Sequence, residues 1–534
     1  FGIKPLYYTQ RGARLAFASE VKALLLVPGV DATMDVQALH QYLTFLWVPD
    51  PQTMFRGIFK LPAGHFAVWR KGEFRVEQYW DLTFPPAGAR YGRSEDELIE
   101  EVRARFNRSV QSQMVSDVPI GAFLSAGLDS SSIVAVMAQA ATQNLRTYTV
   151  KFPRKYRVGE TTLDDPAVAA HFAKNVGCEN RQILVEPDVV SLLPQLTWHM
   201  DEPIADPAII PAFLVCREAS REVTVLLSGV GGDELFAGYR KYCAHYWGQL
   251  YRKFVPALLR DHVIAPAVLA MPSLRGTPLK GFMRLAKKMA RSGSLSARDA
   301  FIMNATYLAD DEKAVLYAPE LAAGIARANS WASHHAYFDQ VSTADFLNQM
   351  LFLDTKIFMA SLNLTYNDKM SMASSIEVRV PFLDRELAEF VAWNVPPGLK
   401  LKGKLRPTTK YIFRRAMEGL LPAEVLKQPK AGFGAPVDYW LAHDLRGMVD
   451  DLLGESRVRS RGLLRPEAVR GLVKKHRRGQ DCSMQLWQLL TLELWMETFL
   501  DVAAESTSLT YEHVRVAKSH THWVAPQPDF SRAV

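Results

Sequence analysis

The stretch LSAGLDSS, residues 124–131, decides the fold that this sequence predicts. The apolar run Ile120–Leu124 before it predicts a short strand, and Ser130–Ala141 after it predicts a helix. Small residues let the backbone close around an anion, and the start of a helix presents N–H groups without intrahelical partners. Asp129 would repel a bare phosphate, so it indicates a bridging divalent cation. The stretch therefore predicts a pyrophosphate-binding loop, although a serine-capped helix after a tight turn has the same local composition.

The residues around this loop alternate between strand and helix patterns. Further strands are predicted at Thr147–Phe152, Arg181–Val185 and Thr224–Leu227. Helices are predicted from Ser94, with Glu97 completing a capping box, and from Asp165 as N-cap. Strands separated by helices predict an α/β fold with a doubly wound parallel sheet. After about Tyr239 the chain is predicted to be mostly helical.

A second glycine-rich stretch, LSGVGGDE at residues 227–234, also follows a predicted strand. Ligands of open α/β sheets bind at the carboxyl ends of the strands, so Asp233 could share a cation with Asp129. An ordinary glycine turn would look similar. The first stretch has neither the lysine of a Walker loop nor the glycine of a serine-hydrolase elbow, and the second has Glu234 at the last glycine position of a dinucleotide fingerprint. Two such loops on one sheet favour a nucleotide site.

The composition is that of a folded protein of two or three domains, with 534 residues of which 48% are hydrophobic. The formal charge is +7, and because the charge looks scattered it favours an anion-handling enzyme over a nucleic-acid partner. No apolar run is long enough to span a bilayer, so no membrane partner is expected. The four cysteines are far apart and are expected to be reduced thiols in a cytoplasmic protein.

These motifs resemble the asparagine synthetases, and residues 125–130 resemble the PP-loop of the ATP pyrophosphatases. The resemblance covers about residues 1–500, and its further motifs stand in family order at residues 201–207, 227–239, 368–384 and 430–433. Residues 1–8 and 17–24 resemble the end of the family's N-terminal nucleophile glutaminase domain. The expected fold is thus a PP-loop type doubly wound sheet with a mostly helical C-terminal part, preceded by a glutaminase remnant. The expected domains are 1–90, 91–505 and a tail at 506–534.

The resemblance implies that ATP adenylates the side-chain carboxylate of L-aspartate and that ammonia then attacks, giving asparagine, AMP and pyrophosphate. It implies a role for each of the following residues. Leu124, Val150, Ser228 and Gly229 would line the nucleotide site; Ser125, Gly127 and Ser130 would hold pyrophosphate; Asp129 and Asp233 would bind Mg²⁺; Lys430 would stabilise transition-state charge; and Glu377 and Arg379 would belong to the acceptor region. For these last two residues, an internal ion pair is an equally good interpretation.

Two positions depart from the family pattern. Ala126 replaces a usual glycine, so the loop should keep a negative φ there or carry strain. Val230 stands where many members have an acidic residue, which leaves the acceptor open. The alternatives are a related amidotransferase acting on another carboxylate in cell-surface or secondary-metabolite synthesis, a tRNA-modifying PP-loop enzyme, and a regulatory protein without activity. The oligomeric state is also open, with a homodimer as one option.

The nitrogen source gives the first testable prediction. The family's glutaminase uses an N-terminal cysteine as its nucleophile, whereas this chain opens on Phe1 and its first cysteine is Cys178. We expect the 534-residue chain to use ammonium with ATP and to leave L-glutamine intact, since glutamine would serve only through the missing glutaminase part. Incubation with glutamine alone and with ammonium alone tests this expectation. Glutamate release above the uncatalysed background would contradict it.

Overall fold

A computed structural model describes residues 1–141, 144–157, 166–271, 280–403, 405–428 and 434–501. The first ninety residues form two small antiparallel units and two helices. A three-stranded sheet has the order β2-β1-β3, and β4 pairs with β5 as a hairpin. The elements are β1 Tyr7–Arg11, β2 Arg14–Ala18, α1 Val21–Leu24, α2 Val36–Phe45, β3 Ile58–Lys60, β4 His65–Arg70 and β5 Glu73–Gln78.

The next part is an alternation of strands and helices. Its elements are α3 Glu95–Gln113, β6 Ile120–Phe123, α4 Leu128–Ala140, β7 Arg146–Lys151, a 3₁₀ turn at Arg154–Arg157, α5 Pro166–Asn175, β8 Glu179–Leu184, α6 Val189–Met200, α7 Ile209–Ala219, β9 Val225–Leu227 and α8 Gly232–Phe236. The capping box predicted at Ser94 is present, with its hydroxyl accepting from the Glu97 amide and the Glu97 carboxylate accepting from the Ser94 amide. The periodic apolar pattern therefore located these elements to within two residues at most boundaries.

The remaining part is mostly helical, as predicted. Its helices are α9 Arg240–Phe254, α10 Ala257–Leu259, α11 Ala265–Ala270, α12 Lys280–Ser292, α13 Ala297–Ala305, α14 Asp310–Leu316, α15 Pro319–Gly324, α16 Ala332–Gln340, α17 Phe346–Leu353, α18 Thr365–Met372, α19 Arg385–Asn394, α20 Pro397–Lys400, α21 Tyr411–Ala416, α22 Ala423–Lys427, α23 Val437–Ala442, α24 Arg446–Leu452, α25 Glu455–Arg461, α26 Pro466–Arg477 and α27 Ser483–Met496. Short strands lie at β10 Glu377–Arg379, β11 Leu401–Lys402 and β12 Thr408–Thr409, a 3₁₀ turn lies at Pro381–Leu383, and π-helical stretches lie at Arg260–Ile264, Asp354–Leu364 and Glu497–Asp501. In the ranges given above, no helix is both long enough and apolar enough to cross a bilayer.

The central sheet has five parallel strands in the order β10-β9-β6-β7-β8. The chain enters at β6, builds outward through β7 and β8, and then returns to the other side of β6 with β9. The direction of building thus reverses between β6 and β9. In open α/β sheets such a reversal leaves a crevice at the carboxyl ends of the strands. The first glycine-rich stretch follows β6 and the second follows β9, the two strands between which the direction of building reverses.

The fifth strand, β10, was not predicted as a strand. It has only three residues, and it pairs in parallel with β9 across 150 positions of sequence. A strand of three residues is too short to show an alternating apolar pattern. Its pairing depends on a strand that is distant in sequence. Its effect on the site is direct, since the Ser228 amide at the end of β9 donates to the Arg379 carbonyl at 2.8 Å.

The first sixty residues share a hydrophobic core with the C-terminal helices. Fully buried side chains of this core include Tyr7, Tyr42 and Phe55 from the N-terminal part and Trp495 from α27. Phe55 and Trp495 meet edge to face, with ring centroids 5.1 Å apart. Backbone hydrogen bonds cross in the same place, for example from the Ala205 amide to the Leu46 carbonyl at 2.9 Å. The N-terminal segment is therefore packed into the body of the molecule.

A buried ion cluster centred on Asp201 ties these parts together. The Asp201 side chain has no exposed surface; its Oδ1 accepts from Lys22 Nζ at 2.7 Å, and its Oδ2 accepts from Lys369 Nζ and from the Val21 amide. Burial alone would raise the pKa of this carboxyl, but the two ammonium groups hold it at about 2. Trp495 Nε1 also donates to the Asp201 carbonyl at 2.8 Å. Through its carboxylate and its carbonyl, Asp201 at the end of α6 thus joins α1, α18 and α27.

Replacing this carboxylate gives the second prediction. Asp201→Asn removes the carboxylate that two buried ammonium groups share, leaving Lys22 with only Glu20 as a partner, and should cost about 3–5 kcal/mol of unfolding free energy. Because the folded pKa lies below the ordinary value of 3.8, the contribution of the carboxylate is complete above about pH 4 and is lost as the pH falls towards 2. Urea denaturation at several pH values measures both effects.

The matched control is Asp339→Asn. Asp339 pairs with Arg298 at 2.7 Å, but its side chain is 72% exposed, so its loss should cost less than about 1 kcal/mol. Equal urea midpoints for the two variants at pH 7 would contradict the role assigned to Asp201.

Candidate functional site

The first loop connects β6 to α4 and closes on itself through serine hydroxyls. Ser130 Oγ accepts from the Ser125 amide at 3.1 Å, lies 3.1 Å from Ser125 Oγ and donates to the Gly127 carbonyl at 3.3 Å. Gly127 is the N-cap of α4, and no side chain caps this helix. The first-turn amides of a thirteen-residue helix are therefore left to a ligand or to water. Ser125, Gly127 and Ser130 lie where pyrophosphate contacts were predicted.

Ala126 adopts a left-handed conformation with φ at +57°, and its side chain is buried. The replacement of a usual glycine by Ala126 was expected to give either a negative φ or strain, and the loop is strained. A non-glycine residue in this region costs on the order of 1–2 kcal/mol. Backbone strain of this kind is concentrated at functional sites, where the surrounding structure enforces it.

Leu124 and Val150 lie at the carboxyl ends of the neighbouring strands β6 and β7. The Leu124 amide donates to the Tyr148 carbonyl at 2.9 Å, and the Leu124 carbonyl accepts from Thr149 Oγ1 at 2.7 Å. Both Leu124 and Val150 are buried. Their side chains belong to different hydrophobic clusters, and their contact with a nucleotide stays a prediction.

The second loop lies directly against the first because two of its glycines have no side chain. A Cβ at Gly229 would approach Asp129 Cβ to 2.9 Å, and one at Gly232 would approach the Asp129 carboxylate to 3.0 Å. Side chains at these positions would push the loops apart. The predicted convergence of the two motifs is therefore present, with Ser228 and Gly229 beside Asp129.

A lysine that sequence reasoning missed bridges the two aspartates. Lys410 Nζ lies 2.6 Å from Asp129 Oδ1 and 2.6 Å from Asp233 Oδ1. Lys410 precedes α21 in a left-handed conformation with φ at +54°, and it is 4% exposed. Nothing in the local sequence around Lys410 signals this position, because the lysine comes from a part of the chain almost 300 residues after the first loop.

The paired carboxylates fit the predicted Mg²⁺. One ammonium group contacts both aspartates, so a single cation can reach both. Across the ranges covered by the structure, no group of three or more His, Cys, Asp or Glu side chains could hold a metal. Mg²⁺ is typically bound by one or two carboxylates together with substrate phosphate oxygens and water. Asp129 and Asp233 supply such a set, with the first-turn amides of α4 beside them for the phosphates.

Glu234, next to Asp233, is a buried carboxyl with a raised pKa. Burial, followed by the charge of Asp233, raises the pKa of Glu234 to about 7. Glu234 Oε1 accepts from the Tyr239 hydroxyl at 2.7 Å and from Asn363 Nδ2 at 3.2 Å. This carboxyl can therefore hold or release a proton near neutral pH, one position along the chain from the candidate metal ligand.

Val230 lies in an apolar cluster beside the second loop. The cluster consists of the buried side chains Met359, Leu364, Val380 and Leu383, against which Val230, Phe1 and Ile3 pack. The surroundings of Val230 are thus apolar on the side that leads to the N-terminal segment.

The other predicted site residues are placed as follows. Glu377 and Arg379 form an ion pair at 2.8 Å on β10, and Arg379 also donates to the Gln113 and Val115 carbonyls near the end of α3. The internal ion pair, the second of the two interpretations, is therefore present, and an acceptor role for these residues stays a prediction. Lys430 lies outside the described residues.

Comparisons with known proteins agree with this geometry. The asparagine synthase family model matches residues 101–497, and the glutamine amidotransferase domain model matches residues 1–80. The chain is 34% identical over 501 residues to asparagine synthetase [glutamine-hydrolyzing] 1 of Bacillus subtilis, covering 93% of this chain and 74% of that protein. It is 35% identical to a putative asparagine synthetase of Mycobacterium bovis, covering 94% and 74% of the two chains. It is 27% identical to amidase chyE of Penicillium rubens, covering 90% and 73%.

The family model spans well over half of the chain, and two relatives above 30% identity align with nearly all of it. The paired loops at the reversal of the sheet lie inside the matched range. On this evidence the chain belongs to the asparagine synthase family.

Proposed function

We propose that this protein is an ATP-dependent amide-forming ligase that converts L-aspartate to asparagine. The observation that carries the proposal is the meeting of Asp129 and Asp233 around one cationic group, on two loops at the reversal of a parallel sheet. Family membership supports a glutamine-using carbon–nitrogen ligase. The sheet would then be doubly wound and of the PP-loop type, with ATP bound across β6 and β9. A cytoplasmic location stays a prediction.

The proposed reaction has two steps. A carboxylate oxygen of aspartate attacks the α-phosphorus of ATP, and the bond to the β-phosphate oxygen breaks, so pyrophosphate leaves and an acyl-adenylate forms. Ammonia then attacks the acyl carbon, loses a proton and displaces AMP. The α4 amides and the hydroxyls of Ser125 and Ser130 would hold the pyrophosphate. Mg²⁺ bound at Asp129 and Asp233 would neutralise charge on the phosphates as pyrophosphate departs.

The apolar cluster around Val230 supports a route for ammonia in this proposal. It lies between residues 1–3, in the glutamine amidotransferase match, and the second loop. Ammonia is neutral in transit, and apolar walls do not favour its protonation to ammonium. In the proposal, ammonia is the nitrogen compound that reaches the acyl-adenylate.

A second candidate is favoured by Val230 itself. Where many members of the family have an acidic residue, this chain presents a valine surrounded by apolar side chains. Similarity to amidase chyE at 27% identity shows how widely the family extends. The second candidate is therefore a ligase of the same mechanism that amidates a different, more apolar carboxylate.

A panel of acceptors tests the proposal and provides the third prediction. Purified protein is supplied with ATP, Mg²⁺ and ammonium, and AMP, pyrophosphate and amide are measured over aspartate, glutamate, N-acylated amino acids and carboxylated peptides and sugars. We expect aspartate to yield asparagine, AMP and pyrophosphate in equal amounts. Turnover with another acid but not with aspartate would favour the second candidate, and release of AMP with none of them would contradict both.

Variants of the paired aspartates link that activity to the site. Asp129→Asn and Asp233→Asn should each lower Mg²⁺-dependent pyrophosphate release by roughly 100-fold or more, because a cation site loses a charge. Each variant leaves Lys410 one carboxylate partner, so the melting temperature should change little. Asp339→Asn, in an exposed ion pair with Arg298, serves as a control. Turnover like that of the wild type in either aspartate variant would exclude the metal assignment.

Lys430 provides the fourth prediction. If its charge acts mainly in the transition state, Lys430→Ala should lower kcat by roughly 100- to 1,000-fold and change KM for ATP by only a few fold. The exposed Lys427, three residues earlier, is the matched control, and Lys427→Ala should leave both constants unchanged. A change confined to KM for ATP would show that Lys430 binds substrate without promoting the chemical step.

A further inference from the structure

Residues 252–291, here called the helical arm, follow the second loop and its helix α9. The described parts of the arm are residues 252–271 and 280–291, and α10, α11 and the π-helical stretch between them contain no buried side chain. Of the 23 large hydrophobic side chains exposed in the described chain, eight lie in the arm. They are Phe254, Leu258, Leu259, Val263, Leu269, Met271, Phe282 and Leu285.

The arm packs mainly on itself. Helix α11 contacts α12, and α12 contacts α13, through which the arm is joined to the body of the molecule. Gly293 allows Arg260 to approach closely at this base, where an added Cβ would lie 3.2 Å from Arg260 Cδ. The apolar side chains named above remain exposed. A helix whose surface is apolar on most sides requires a partner in order to be shielded from water.

The arm is strongly basic. Between residues 252 and 291 the sequence has nine lysines and arginines and one acidic residue, Asp261, a net charge of +8. Residues 457–478 have the same net charge, so the basic residues of the chain lie in more than one stretch. Asp261 is engaged by Arg260, with N–O distances of 2.7 and 2.8 Å. The other basic groups in the arm have no acidic residue of the arm to pair with.

Helix α12 places the two properties on opposite faces. Phe282 and Leu285 lie three positions apart on one face, and Arg284 and Lys287 lie three apart on the opposite face. Burial, followed by the charges of Arg284, Lys241 and Arg291, lowers the pKa of Lys288 to about 8. The cations of this helix thus repel one another, and an anionic partner would relieve that repulsion.

The chemistry of the arm distinguishes three kinds of partner. A second copy of the chain would place two basic surfaces face to face. A single-stranded nucleic acid would favour stacking on aromatic rings, whereas six of the eight exposed side chains are aliphatic. A bilayer that contains anionic lipid accepts aliphatic side chains and attracts lysines and arginines at the same time.

We propose that the helical arm binds the surface of an anionic lipid bilayer, with its apolar side chains between the headgroups and its basic side chains at the phosphates. This differs from the expectation that no membrane is a partner, which considered only segments that span a bilayer. The proposal concerns attachment to a surface, and it is independent of the ligase reaction.

Flotation of the purified full chain with vesicles tests the proposal. Vesicles of pure phosphatidylcholine are compared with vesicles containing phosphatidylglycerol, at low and high salt. We expect binding to the anionic vesicles, with loss of at least about tenfold in affinity at high salt, and much weaker binding to neutral ones. Arg284→Glu combined with Lys287→Glu should reduce binding at least about tenfold, and Leu258→Asp should also reduce it.

Two matched variants serve as controls. Lys474→Glu with Lys475→Glu changes the net charge equally on the exposed surface of α26, and Leu405→Asp alters a side chain that is 76% exposed, against 77% for Leu258. Both should bind vesicles like the wild type, and circular dichroism checks that all variants fold. The proposal is overturned if the wild type fails to float, if the control variants lose binding equally, or if the arm variants abolish only self-association or RNA binding. Ligase activity is measured separately, so either proposal can fail alone.

Discussion

The buried pairing of Asp201 with Lys22 and Lys369 is the interaction on which the rest of the structure depends. Lys369 lies in α18, which leads after four residues into β10. Strand β10 supports the end of β9, and the Ser228 amide that begins the second loop donates to it. The position of the second loop is therefore fixed from the side of the N-terminal segment as well as from the sheet. A charge with no exposed surface requires all of its partners in place, so these connections form together.

Two residues with strained backbones lie beside the paired carboxylates of the site. Ala126 and Lys410 both have left-handed backbones without being glycine, and both belong to segments that converge on Asp129. Each such residue costs on the order of 1–3 kcal/mol, which the buried surroundings must offset. Lys410 brings a positive charge between two carboxylates that would otherwise repel each other. The unfavourable backbone conformation of Lys410 thus places its ammonium group between the carboxylates of the two loops.

Local patterns predicted those parts of the fold that local chemistry determines. The apolar strand before residue 124, the capping box at Ser94 and the glycine-rich stretch at 227–234 all have signals within a few residues of themselves. β10 and Lys410 have no such local signal. The partner of β10 is about 150 positions away in sequence, and that of Lys410 is about 280 positions away. The charge of the helical arm was missed for another reason. A search for consecutive basic residues finds 474–478, whereas the basic residues of the arm are spread over forty positions of sequence.

The core shared by residues 1–60 and the C-terminal helices constrains how this protein can change over evolution. Tyr7, Tyr42 and Phe55 fill space that Trp495 and its neighbours shape, so a substitution on one side alters the fit on the other. Amino-acid changes in the two parts should therefore covary among relatives. A chimera that joins the first sixty residues of one family member to the remainder of another should fold poorly unless the contacting aromatic residues are exchanged as a set.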